Sequence, residues 1–111
     1  MTNVDLSYLE SVTDGDKELI KELVDIFKNQ IPVYLSDFNE ALAKKDVEEL
    51  GRIAHKSKSS VAIMGMGDLA NELDSFETEA NEGIYLEKFP SYIISFEKHC
   101  KEAILILDKM L

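Results

Sequence analysis

The chain lacks the raw material for several kinds of protein. It holds one cysteine, Cys100, so no disulfide can close within it, and the repeated Cys and His of a zinc site are missing. It has no P-loop, no glycine-rich kinase loop and no other nucleotide motif, so it should not phosphorylate itself. No apolar run approaches the roughly 20 residues of a membrane span. The opening Met1-Thr2-Asn3-Val4-Asp5 lacks the basic and apolar regions of a secretory leader. Basic residues are few: 12 Lys and Arg stand against 22 Asp and Glu, a net charge of −10 that repels nucleic-acid phosphate and anionic membrane surfaces. These absences predict a cytoplasmic chain with no nucleic-acid and no membrane partner. The whole of residues 1–111 fits one domain, and 45% hydrophobic residues suffice for one core.

What is present is helical periodicity. A short helix is expected over Asp5 to Ser11, then a turn at Thr13-Asp14-Gly15-Asp16 in which Asp16 is the N-cap candidate. Ile20, Val24, Phe27, Ile31, Leu35, Phe38 and Leu42 then recur at spacings of four and three, the mark of an amphipathic helix. Pro32 falls inside it and predicts a kink, with the apolar stripe continuous across it. Asp46, with Glu49 three residues later, forms a capping-box-like entry to a helix running from Val47 to about Met64. Gly65-Met66-Gly67 breaks that helix. Asp68 opens the next, with Leu69, Leu73, Phe76 and Ala80 on its apolar face and Gly83 as its stop. The last helix carries Phe89, Ile93, Phe96, Cys100, Ala103, Leu107 and Met110, with Pro90 in its first turn. No alternating strand pattern of useful length occurs. The expectation is all-α: an up-down four-helix bundle with a short additional N-terminal helix.

One histidine stands out. On the third predicted helix, Leu50, Ile53, Ala54, Ser57, Val61 and Met64 gather on one side and must face the core. His55 lies opposite, so it should point to solvent. Its neighbours three and four residues away are Gly51, Arg52, Lys58 and Ser59, with Ala62 a turn further on. Gly51, Ser59 and Ala62 are small and would leave the imidazole clear for a docking protein. The stretch from Leu50 to Gly67 contains no Asp or Glu, yet holds Arg52, Lys56 and Lys58. Histidine can be a covalent nucleophile. The neighbouring cations disfavour the imidazolium before transfer and can pair with phosphoryl oxygens afterwards, with Ser59 donating one more hydrogen bond. Phosphoryl transfer asks for positioning and charge neutralisation, and a partner would supply Mg²⁺ and the acceptor carboxylate. No cofactor or metal is expected on this chain itself.

Ala54-His55-Lys56-Ser57-Lys58-Ser59-Ser60, followed by Met64-Gly65-Met66 and Leu69, resembles the signature of the histidine phosphotransfer family. In that signature a lysine follows the histidine by three, then come a small residue and a serine or alanine, and a glycine stands ten beyond the histidine. Here these are His55, Lys58, Ser59, Ser60 and Gly65. Ser59 replaces the usual glycine, and Ser57 stands where leucine is common. Phe27, Pro32 and Asp46 extend the resemblance over roughly residues 5 to 83. It implies a monomeric phosphorelay intermediate that exchanges phosphate through His55 with response-regulator receiver domains and a hybrid sensor kinase. The native-looking start at Met1 favours a free-standing protein over a fragment of a larger kinase. The rival reading is a helical protein–protein adaptor without the chemistry.

Other features read as ordinary. His99 has mixed-charge neighbours, and Cys100 occupies a core position of the last helix. The acidic Glu72, Asp74, Glu77, Glu79 and Glu82 read as a solvated face, and Met64 and Met66 as packing at a helix end.

Overall fold

The computed structural model describes residues 2–111, so Met1 lies outside the described residues. Five helices follow one another: α1 (Ser7–Thr13), α2 (Lys17–Ala43), α3 (Val47–Ile63), α4 (Gly67–Ala80) and α5 (Phe89–Met110). No strand occurs among the described residues. α3 packs on α2 and α4, and α5 closes the ring against the same two helices, while α1 leans on α2. This is the expected four-helix bundle with an additional N-terminal helix.

Local chemistry sets the helix starts. The Asp16 carboxylate accepts from the Glu18 and Leu19 amides, and that of Asp46 accepts from the Glu49 amide, each using amides that α2 or α3 cannot satisfy internally. The reciprocal half of the capping box does not form, because the Glu49 side chain turns to Arg52 instead. Pro32 is exposed on an unbroken α2, its ring on the solvent side of the helix. Beyond it the buried stripe runs through Tyr34, Phe38 and Ala41, with Leu35 and Leu42 only half-buried. At 3.6 residues per turn, positions three and four beyond a buried residue compete for the core. Tyr34 wins: its ring packs edge-on to Phe96 while its hydroxyl reaches Ser60. Met110, expected in the core, is exposed at the end of α5.

Aromatic rings hold the bundle together. Phe38 of α2 stacks on Phe76 of α4 at 5.7 Å and meets Phe96 of α5 edge-on at 5.4 Å. Phe76 also meets Phe89 and Tyr92 of α5 at 5.1 and 4.7 Å. α3 adds only aliphatic and small residues to this core. Ser57 is fully buried there, its hydroxyl satisfied by the Ala54 carbonyl at 3.3 Å. A serine where leucine would pack therefore leaves no orphaned polar atom.

Residues 2–6 strap the end of the bundle. The Asp5 amide donates to the Met64 carbonyl, and the Thr2 hydroxyl bonds both His99 Nδ1 and Glu102 of α5. His99 is thus a tether, in keeping with its ordinary reading. Cys100 is core, and burial pushes its thiol up to about 12, which keeps it protonated and inert. Gly65 turns α3 into α4 at φ +71°, and a Cβ there would lie 2.0 Å from the Asp5 carbonyl oxygen. Gly65→Ala should therefore cost ~2 kcal/mol or more, from the left-handed backbone and from displacement of the strap. A urea midpoint equal to wild type would contradict this.

Candidate functional site

α3 and α4 make the site between them. His55 projects from the outer face of α3 with 62% of its side chain exposed, as its helical position requires. Its Nδ1 lies 2.8 Å from Glu77 Oε2 on α4. The other oxygen of Glu77 accepts from Lys58 Nζ at 3.1 Å, and Lys58 also donates to Asp74 Oδ1 at 2.9 Å. One carboxylate thus joins the histidine to the lysine one turn along. Hydrogen bonds to Asp74 and then Glu77 raise the Lys58 pKa, so the ammonium stays charged.

The Glu77 contact decides which ring nitrogen is the donor. A carboxylate only accepts hydrogen bonds, so the proton of this contact sits on Nδ1, and Nε2 is the nitrogen whose lone pair can face an incoming group. Among the described residues, Nε2 has no hydrogen-bond partner.

Gly51 has a different task from the one its position suggested. It is buried, and a Cβ there would lie 3.0 Å from Asn81 Oδ1 and 3.3 Å from the Ala80 Cβ. Its lack of a side chain lets α4 approach α3, and that approach brings Glu77 within reach of His55. Ser59 and Ala62, the other small residues near the ring, are both exposed.

Arg52 does not join the site. Its guanidinium grips Glu49 at 2.7 Å and lies in an acidic cleft toward α2 lined by Asp37, Glu40 and Asp46. Lys56 turns toward α2 and borders a cleft with Ile26 and Val33. Of the basic residues near His55, Lys58 alone shares its carboxylate. The acid-free run of α3 is acid-free only in sequence, since α4 lays Asp74 and Glu77 across it. The acidic residues of α4 are accordingly ties more than a solvated face. Glu79 bonds Tyr92 and pairs with Lys88, and Glu72 accepts from Ser95. Sequence reasoning missed Glu77 because it stands 22 residues from His55 and no helical spacing links them. The one available signal was that positions 73, 76 and 80 are apolar, which sets 77 at the edge of the buried face.

The model of the Hpt domain family matches residues 22–91, from within α2 to the start of α5. The chain belongs to the Hpt domain family. Its fold is similar to the crystal structure of histidine-containing phosphotransfer protein B from Pseudomonas aeruginosa, with a TM-score of 0.86 over 96% of this chain and 92% of that one, at 23% identity. No curated protein sequence matches it significantly. Hpt proteins are phosphocarriers of two-component phosphorelays that interact with receiver domains. Outside the family match lie α1, the first turn of α2 and most of α5, so the Hpt signal resides in the helices that carry and face His55. Among the described residues of this Hpt chain, no helix is long and apolar enough to cross a membrane.

Proposed function

We propose that His55 is the phosphoacceptor of this Hpt chain, and that the protein relays phosphate between receiver-domain aspartates without kinase activity of its own. The observation that carries this reading is the exposed imidazole whose Nδ1 is held by Glu77, leaving Nε2 as the nucleophile. The Nε2 lone pair forms the N–P bond as the aspartyl P–O bond of the receiver breaks, and the bonding pair leaves on the receiver carboxylate. The ring proton remains on Nδ1, where Glu77 offsets the positive charge of the phosphorylated ring. The receiver brings the Mg²⁺ and the acceptor carboxylate, and a hybrid sensor kinase stands upstream. The protein works as a monomer in the cytoplasm. Lys58 and Ser59 are the residues of α3 best placed to meet phosphoryl oxygens; Arg52 drops out of that set. Receivers dock over α3 and the adjoining edge of α2, where Ile26 and Val33 lie exposed beside Lys56.

The test is to incubate the protein with Mg²⁺ and receiver domains charged by a small-molecule phosphodonor. Acid-labile, alkali-stable label on the protein supports the reading, and no label from any receiver of its own cell overturns it. Glu77→Ala should slow uptake on the order of tenfold, because the ring loses the charged partner that orients it and holds its proton. Uptake at the wild-type rate would remove Glu77 from the mechanism.

A further inference from the structure

Lys58 is already engaged before any phosphoryl group arrives. Its ammonium has three N–H donors. Two are spent on carboxylates of α4, Asp74 and Glu77. The other cations on this helix are turned elsewhere, Arg52 to Glu49 and Lys56 toward α2. A phosphoryl group on Nε2 brings close to two negative charges beside these two carboxylates. Besides the protonated ring itself, Lys58 is the one cation among the described residues held beside these groups to balance them.

We infer that Asp74 weakens the hold of His55 on its phosphoryl group by competing for the Lys58 ammonium, and so makes the phosphohistidine a readier donor. The inference rests on the reading of His55 as the acceptor. Glu77 touches both the ring and the lysine, so its removal would confuse two effects. Asp74 separates them. It bonds Lys58 and not the imidazole, and 63% of its side chain is exposed, so a neutral substitute alters the charge around Lys58 and little else. Asp74 is in this sense a positioning residue that acts through the lysine. While it holds the ammonium toward α4, the phosphoryl oxygens receive less of that positive charge. With Asp74 neutral, the lysine keeps Glu77 as its one carboxylate and has two donors to give. The phosphorylated state gains, and the receiver's aspartyl phosphate loses by comparison.

The experiment measures the equilibrium constant for exchange between the full chain and a phosphorylated receiver, approached from both directions. Asp74→Asn should shift it toward phosphohistidine by about two- to fivefold, the range that one exposed ion pair supports. The shift should shrink as salt is added, and Asp74→Glu should restore the wild-type constant. In a Lys58→Met background, Asp74→Asn should shift nothing, since the residue through which it acts is gone. Glu87→Gln, in the α4–α5 connection, removes the same charge away from His55 and should leave the constant unchanged. An unchanged or reversed constant for Asp74→Asn overturns the inference, and so does an equal shift without Lys58. A lowered unfolding midpoint with an unmoved constant would make Asp74 merely structural, which also overturns it. If wild type takes no label at all, the acceptor assignment itself fails, a result distinguishable from any of these.

Discussion

His55→Gln should abolish phosphate uptake while leaving the fold intact. Glutamine offers no nucleophilic nitrogen, because its amide lone pair is delocalised, so no stable N–P bond can form. The side chain it replaces is largely exposed and sits outside the core, so the cost in stability should stay within about 0.5 kcal/mol. Label should fall to background in the same assay that charges wild type, with an unaltered urea midpoint. His99 is the only other histidine. Its Nδ1 is engaged by Thr2 and its side chain is mostly covered, so His99→Gln should label as wild type does. Label surviving on His55→Gln would place the acceptor elsewhere and end the assignment.

Phe38→Ala should be among the most destabilising single truncations. Phe38 is completely buried where α2, α4 and α5 meet, between Phe76 and Phe96. Its removal loses the transfer energy of the ring and leaves a cavity that rigid aromatic neighbours cannot collapse to fill. The expected loss is about 3–5 kcal/mol, a large share of the ~5–15 kcal/mol that holds a domain of this size folded. The urea midpoint should fall with little change in slope. A loss below ~1 kcal/mol would show that Phe76 and Phe96 close over the gap. Protein that remains folded should still accept phosphate, because Phe38 does not touch the α3–α4 surface on which His55, Lys58 and Glu77 meet. Stability and chemistry are thus carried by opposite faces of the same helices.

Within single helices, the sequence was a reliable guide. The α3 stripe of Leu50, Ile53, Ala54, Ser57, Val61 and Met64 is buried throughout, and His55 points out, because a 3.6-residue repeat places side chains around a helix without reference to anything else. Asp16 and Asp46 cap the helices they precede for an equally local reason. The first helix runs over Ser7–Thr13, two residues later at each end than the Asp5–Ser11 that its sequence suggests. The Asp5 carboxylate instead accepts from the Ser7 amide, just ahead of the helix. Where two apolar candidates shared a turn, as with Tyr34 and Leu35, the neighbouring helices chose.

What lies between helices was not legible in the same way. The sequence by itself determined an all-helical bundle, an outward His55 with Lys58 one turn along, and small residues about it. Only the tertiary structure decided what faces that histidine. It turned Gly51 from clearance into the contact point with α4, and set Glu77 and Asp74 over a stretch that looked purely basic. The physical reason is range. Helical periodicity and capping act over three or four residues, whereas a hydrogen bond spanning 22 residues exists only once packing has set two helices side by side.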